Sequence, residues 1–329
     1  MKSIKLGQIG IGHNHAEAKM RAARKFPELF DIVGYAEENE TWVKKRGVLA
    51  GYEGLPRMRV EEVIEKSDAV LIESDVWDLT EYAKMCVDAG KHIHMDKPAS
   101  GTLKEYKDLL DTAKEKNLVV QLGYMYRYNP SVKKAVSMIQ NGQLGTIHSI
   151  NAEMSTRHSD EYRQWLNHFS GGNMYIFGSH LIDLIVLLLG KPTKIFSSIA
   201  SSGVNGVSSP DITSAILQYD NALARVFVSS VECNGWGRRC FSVAGSDGTV
   251  EIRPLEVPAR MTLAAKGEGN EYFEDYAKPL ETKNLPDTER YDEMIQDFYA
   301  YIKGRKQNPF TYEHDFLVQQ VLDEIVGGV

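Results

Sequence analysis

Short apolar runs recur along the first third of the chain, at residues 4–9, 32–35, 69–73, 92–95 and 119–123. Between them lie stretches where apolar residues return every three or four positions, at 16–25, 80–89 and 103–116, the second ended by Gly90. Continuous apolar runs predict strands buried on both faces, and the longer spacing predicts amphipathic helices. Strand–helix alternation of this kind predicts βαβ units on a parallel sheet with right-handed crossovers.

Beyond residue 123 the pattern changes. A helix is expected at 130–140, ended by Asn141-Gly142, and then strand-like runs dominate: 147–155, 193–202, 212–219, 222–231, 241–244 and 249–252. Asp220-Asn221 and Asp247-Gly248 supply turns, which predicts antiparallel pairing. One helix interrupts at 179–189, stopped by Gly190 and Pro192, and two more helical patterns close the chain at 290–303 and 312–325. The expected fold class is therefore α/β: a Rossmann-type, doubly wound parallel sheet over residues 1–123, then an α+β domain over 124–329 with a large, mostly antiparallel open sheet. Helices cover one face of such a sheet; the other predicts self-association into a homo-oligomer.

Composition narrows the partners. The chain has 329 residues, 43% of them hydrophobic, and a net charge of −7, which argues against nucleic acid or an anionic membrane. The longest apolar run, 181–189, is too short to span a bilayer and carries Asp183. Cys86, Cys233 and Cys240 show no C-x-x-C spacing. With no signal-type apolar region before the first glycines, a cytoplasmic protein with reduced thiols is expected.

Candidate chemistry gathers at predicted strand ends. The first strand runs into Gly10-Ile11-Gly12-His13-Asn14-His15-Ala16. Gly10 allows a tight turn and Gly12 a close approach of phosphates, with the helix N-terminus behind them. The second apolar run ends in Glu37, 22 residues beyond His15, where a carboxylate accepts from a ribose 2′-OH. Glu37 and Glu38 repel a 2′-phosphate, so NAD is expected over NADP, although Lys44, Lys45 and Arg46 follow closely. A rival reading takes His13/His15 and His92/His94 as H-x-H metal pairs of a hydrolase. The glycine context favours the nucleotide, and no metal is expected. At the end of the fourth predicted strand stands Asp96-Lys97-Pro98. A lysine there, before a proline that fixes the turn, is placed to hydrogen-bond a substrate hydroxyl and stabilise an alkoxide. His180 opens the helix 179–189 after Gly171-Gly172; it is either a general base or a structural residue at a helix start.

Taken together these residues resemble the Gfo/Idh/MocA oxidoreductases, a family named for glucose-fructose oxidoreductase, inositol dehydrogenase and a rhizopine catabolism protein. The resemblance rests on Gly10-x-Gly12, Glu37, Gly90-Lys91-His92, Asp96-Lys97-Pro98 (for the usual Glu-Lys-Pro) and Arg127-Tyr128-Asn129-Pro130. It extends through Gly171-Gly172 to His180 and Asp183, and to the turn Gly245-Ser246-Asp247-Gly248-Thr249. It implies a Rossmann domain plus an α/β domain whose open sheet forms dimers or tetramers. It further implies NAD(P)-linked hydride transfer to or from a hydroxyl or keto group of a sugar, cyclitol or sugar derivative. Lys97 takes the place of the family's catalytic lysine and His180 that of its catalytic histidine.

Three departures stand out. Ile176 occupies the position, four before the histidine, where the family often has aspartate; Glu153 or Glu232 is a candidate substitute. Ser74-Asp75-Val76-Trp77-Asp78-Leu79 replaces the family's Thr-Pro-x-x-x-His; there Trp77 covers a cofactor ring or packs on a neighbouring helix. His15 replaces the third small residue of the glycine turn and, with His13, Asn14, Ser74, Asp75, Trp77, Asp96, Lys97 and Pro98, joins Gly10, Gly12 and Glu37 among the expected cofactor contacts. For a polyhydroxylated small-molecule substrate the candidates are Arg127, Asn151, Glu153, Arg157, His158, Trp165, Asn173 and Trp236, beside His180. A solvated or interfacial strand face is the alternative for Asn151, Glu153 and Ser155. The loss of aspartate at Ile176 keeps a second function in view, a catalytically weak NAD-binding sensor or regulator on the same scaffold.

Overall fold

A computed structural model describes residues 3–267, 272 and 276–327. The chain divides into two compact units, one made of Met1–Met125 with Pro286–Phe316 and the other of Tyr126–Leu285 with Leu317–Val329. A single cut after residue 123 does not anticipate the return of 286–316 to the first unit.

The first unit alternates as the apolar runs predict, with α2, β3 and α3 added between the second and third expected strands: β1 (Ile4–Ile9), α1 (Ala16–Arg24), β2 (Phe30–Ala36), α2 (Glu40–Arg46), β3 (Arg57–Met58), α3 (Val60–Lys66), β4 (Ala69–Ile72), α4 (Leu79–Asp88), β5 (His92–Met95), α5 (Leu103–Glu115) and β6 (Val120–Leu122). All six strands are parallel, in the order β3-β2-β1-β4-β5-β6. The order reverses between β1 and β4, so the carboxyl ends of these strands form the crevice where doubly wound sheets bind ligands. β4 is buried along its whole length, as a strand covered on both faces must be. The returning segment supplies a helix whose Met294, Ile295 and Phe298 are fully buried, with Phe298 against His94 and Tyr299 edge-on to Phe30.

The second unit contains α6 (Pro130–Gln140), β7 (Ile147–Glu153), α7 (Asp160–Trp165), α8 (Ser179–Leu189), β8 (Lys194–Ala200), β9 (Ile212–Gln218), β10 (Leu223–Ser229), α9 (Gly235–Arg238), β11 (Cys240–Gly245), β12 (Gly248–Ile252), β13 (Met261–Ala265) and β14 (Ala277–Leu280). The two closing helices are α10 (Asp292–Ile302) and α11 (Tyr312–Val326). The eight-stranded sheet runs β14-β13-β12-β11-β7-β10-β9-β8, antiparallel except where β7 pairs with β10. Register aligns Leu217, Ala224, Ile150, Val243 and Val250 in one cross-strand row, and all five are buried. Helices α6 and α8 pack on this face. The opposite rows carry Phe196, Ile216, Arg225, Asn151, Ser242 and Glu251. Period-2 alternation thus sorts the sheet into an apolar inner face and a mixed outer one.

Gly10 shows why the first turn tolerates no side chain. Its φ is +81°, and a Cβ there would lie 2.3 Å from the N and Cα of Ser74, just past β4. Gly10→Ala is therefore expected to destabilise the protein by about 3 kcal/mol from backbone strain and overlap together, read as a lower urea midpoint at unchanged m-value.

Candidate active site

The glycine turn is held from behind. Glu37, at the end of β2, accepts from the Ile11 amide through Oε2 and from the Asn39 amide through Oε1, each at 2.8 Å. The His13 amide donates to the Glu73 carbonyl at 3.0 Å. Among the described residues the amides of Gly12 and Asn14 have no hydrogen-bond partner, which leaves them as donors for an anion at the N-terminal end of α1. Gly10, Gly12, His13, Asn14, His15 and Glu37 gather at this turn, and two open amides, a glycine with no Cβ and a carboxylate with lone pairs to spare fit a dinucleotide. Ser74 and Asp75 stand on the other side of the crevice. Trp77 is 44% exposed.

Beneath the turn lies a charge cluster that the apolar pattern conceals. Lys19, on α1, is fully buried, with its Nζ 2.8 Å from Glu73 Oε1 and 2.6 Å from Asp96 Oδ2. The same Asp96 oxygen meets His13 Nδ1 and His15 Nδ1, both at 3.1 Å, while Oδ1 accepts from the Lys97 amide at 2.7 Å. Burial opposes the Lys19 charge, but Asp96 and Glu73 outweigh it and hold the ammonium above the ordinary lysine range. One ammonium serves two carboxylates unequally. Burial raises Glu73 well above the usual range despite Lys19, whereas His13, Lys19 and His15 overcome burial at Asp96 and hold it well below. Burial lowers His13, and it takes His15 down to about 3.

The H-x-H pairs read differently in this light. His13 and His15 converge on Asp96, as a metal site requires, but the oxygen they share already carries an ammonium at 2.6 Å. His94 Nδ1 faces Gln121 Oε1 at 2.8 Å and His92 Nδ1 accepts from the Val119 amide at 2.9 Å, so the second pair serves the neighbouring strand.

Lys97 follows β5 directly, is 3% exposed, and is joined to Pro98 by a cis peptide bond. Burial, aided by the charge on Lys19 and opposed by Asp96, lowers its amine to about 8. A lysine with that pKa exchanges its proton near neutral pH.

In the second unit His180 sits in the first turn of α8, buried, edge-on to Tyr126 at 5.3 Å. Residues Met174–Gly178 wind as a π turn before that helix, and Ile176 is buried within it. Tyr126 donates to Glu256, which also accepts from Arg239 at 2.8 Å. These three residues escaped sequence reasoning because nothing in their spacing links them.

The expected substrate residues separate into groups. Arg127 forms a buried bidentate pair with Asp183, with Nη2 to Oδ1 at 2.6 Å and Nε to Oδ2 at 3.0 Å. Glu153 is 6% exposed, accepts from Ser155 at 3.3 Å and faces Arg238 at 3.8 Å. His158 stacks on Tyr162 at 4.5 Å and on Phe177 at 5.0 Å, those two rings themselves lying 6.2 Å apart, and Trp165 extends that aromatic cluster toward Phe169. Burial, with help from Arg239, lowers His158 to about 4. Arg157, exposed, reaches Cys233 Sγ at 2.8 Å. Asn151 accepts from Arg225 at 3.0 Å, and the ring of Trp236 lies under the Arg239 guanidinium at 4.2 Å. Asn173 is fully buried: its amide nitrogen, with two hydrogens, lies within reach of Asp211 O at 2.7 Å, Ser230 Oγ at 3.1 Å and Val228 O at 3.3 Å, and its oxygen accepts from the Thr213 hydroxyl at 2.6 Å.

A Rossmann sheet with an anion-ready turn and a buried strand-end lysine defines a dinucleotide-binding oxidoreductase. Residues 4–124 match the oxidoreductase family with NAD-binding Rossmann fold, and residues 132–251 match the GFO/IDH/MocA C-terminal domain. The chain belongs to the Gfo/Idh/MocA family. It is 26% identical to an uncharacterized oxidoreductase of Schizosaccharomyces pombe over 96% of this chain and 94% of that one. It is 27% identical to glucose-6-phosphate 3-dehydrogenase of Bacillus subtilis over 55% and 52% of the two chains. Levoglucosan dehydrogenase, solved with NADH and levoglucosan, shares the fold with a TM-score of 0.84 at 19% identity, covering 99% of this chain and 97% of that one.

The buried cluster yields a direct test. Lys19→Met leaves two carboxylates without their cation and is expected to cost about 3–5 kcal/mol of stability, read in urea or thermal unfolding.

Proposed function

We propose that the protein is an NAD-dependent dehydrogenase that oxidises a hydroxyl of a sugar, cyclitol or sugar derivative, or reduces the corresponding ketone. The observation that carries this reading is Lys97, buried at the carboxyl end of β5 beside the glycine-turn crevice, with its amine lowered to about 8. The bound nicotinamide dinucleotide supplies the hydride acceptor or donor. Gly10, Gly12 and the open amides of Gly12 and Asn14 take the diphosphate, and Glu37 receives the adenosine ribose hydroxyls. NAD is favoured over NADP because Glu37 presents negative charge there, and the nearby Arg57 is paired with Glu40 at 2.7 Å.

Neutral Lys97 accepts the substrate hydroxyl proton in oxidation, and its ammonium returns one in reduction. His180 is the second group assigned to that proton. Ile176 supplies no carboxylate four residues before it, and the larger share is assigned to Lys97 on its lowered amine. Sugar-type substrates are supported by the named dehydrogenases among the relatives and by the stacked rings of His158, Tyr162 and Phe177, since flat aromatic faces suit the C–H faces of sugar rings. A cytoplasmic setting fits the three unpaired cysteines; among the described residues no helix is long and apolar enough to cross a membrane.

Lys97→Ala is expected to leave NADH affinity within about threefold while kcat falls by roughly 10²–10⁴, the usual share of general acid–base catalysis. In the wild type kcat/KM for oxidation should rise with pH and level off above about 8, because only the neutral amine takes a proton. For reduction it should fall through the same range. A stopped assay at the nicotinamide absorbance reads both directions; parallel loss of binding and turnover in the variant counts against the assignment.

The outer sheet face, where Phe196 is 58% exposed and Arg225 lies over Phe227 at 5.1 Å, is where we propose that two or four copies associate. Sedimentation equilibrium should return a dimer or tetramer for the wild type and a smaller species for Phe196→Glu.

A further inference from the structure

Helix α2 fully buries none of its residues, yet Trp42 within it turns back onto the glycine turn. Its indole Nε1 donates to Asp75 Oδ2 at 2.9 Å. A Cβ on Gly12 would meet Trp42 Nε1 at 2.8 Å, Trp42 Cδ1 at 3.0 Å and Asp75 Oδ1 at 3.1 Å. The space that the absent side chain of Gly12 leaves is therefore closed, by an indole from α2 and a carboxylate from the loop after β4. The ring is braced by the guanidinium of Arg46 at 4.8 Å and the ammonium of Lys45 at 5.4 Å, and it packs on the apolar cluster of Ile11, Met20, Tyr35 and Tyr52. Arg46 in turn bonds to Asn14 Oδ1 at 2.8 Å and to the His13 carbonyl.

A second glycine in such a turn exists so that a diphosphate can approach the backbone. Here that approach is filled, and one of the filling groups is an anion. We propose that the Trp42–Asp75 hydrogen bond is a latch across the phosphate turn, opened when a dinucleotide displaces the indole; this rests on the dinucleotide reading above. Displacement exchanges one donor for another at Asp75, the indole N–H for a ribose hydroxyl, and leaves Arg46 as the cation at the turn. The latch subtracts from dinucleotide affinity, since only the open fraction of the protein binds. It makes Trp42 a residue that sets how tightly the cofactor is held without contributing to the chemistry at Lys97.

Calorimetric titration with NADH of the wild type, Trp42→Phe and Trp42→Ala tests this, with thermal unfolding as the folding control. Trp42→Phe removes the latching N–H together with the five-membered ring that faces Gly12 but keeps an aromatic ring, and Trp42→Ala removes the ring altogether. Both are expected to bind NADH more tightly, by about tenfold, the size of one charge-assisted hydrogen bond. Weaker or unchanged binding by the folded variants overturns the latch; weaker binding makes the indole a surface for the cofactor. A second readout leaves the site unaltered: fluorine NMR of the protein labelled with 5-fluorotryptophan, whose four tryptophan signals are sorted by Phe variants of Trp77, Trp165 and Trp236. On saturation with NAD⁺ the Trp42 signal should shift and acquire the H₂O/D₂O isotope shift of an exposed indole. A Trp42 signal that stays in place while NAD⁺ is bound overturns the proposal. Failure of both wild type and Trp42→Ala to bind NAD(H) removes the dinucleotide reading itself, and the latch with it.

Discussion

The first unit is organised around a single buried ammonium. Lys19 draws together the ends of two adjacent strands, Glu73 after β4 and Asp96 after β5, and fastens both to α1. Neither carboxylate is tolerable in that interior as an isolated charge, and two anions so close raise each other's cost. The functional groups hang from the same two residues. The Glu73 carbonyl fixes His13 in the glycine turn, and Asp96 Oδ1 fixes the backbone of Lys97. The anion-binding turn and the reactive lysine are thus two outlets of one electrostatic centre, and the charge on Lys19 is also part of what lowers the amine of Lys97.

Strand ends were legible because apolar runs stop where chemistry begins, and Gly10, Glu37 and Lys97 all stand just past such stops. Lys19 was not flagged, although a signal existed. It falls on the apolar stripe of α1 with Ala16, Met20 and Ala23, where a charge demands a buried partner. Its partners, 54 and 77 residues away, are beyond any local pattern. Helix α3 is absent from the expected elements although Val60, Val63 and Ile64 stand at helical spacing, and α2, with none of its residues buried, offers a weaker signal still. The outer strands β13 and β14 have few fully buried residues, so alternation there is faint.

The second unit shows where motif residues and ligand-binding residues part company. Arg127 and Asp183 both lie in segments that mark the family, and they are spent on one another as a buried fork. Asn173, beside paired glycines, ties β9 and β10 to the π turn through both ends of its amide. Residue type and neighbourhood suggested recognition; the bonds these side chains make run within the protein. The aromatic layer around His158 has the opposite character, since its rings are joined by stacking rather than by saturated polar bonds.

The excursion of the chain out of the first unit and back has a consequence for biosynthesis. Residues 3–125 leave the ribosome with a complete parallel sheet but without the helix that covers it. Lys25 waits for Asp292, Gln121 for the Met294 carbonyl, and Phe30 and His94 for the rings of Tyr299 and Phe298. For the time needed to translate about 160 intervening residues, the nascent sheet carries an uncovered apolar surface, and translation at 5–20 residues per second makes that roughly 10–30 s. Holding that surface away from other chains is a task for the translating cell, set by connectivity alone.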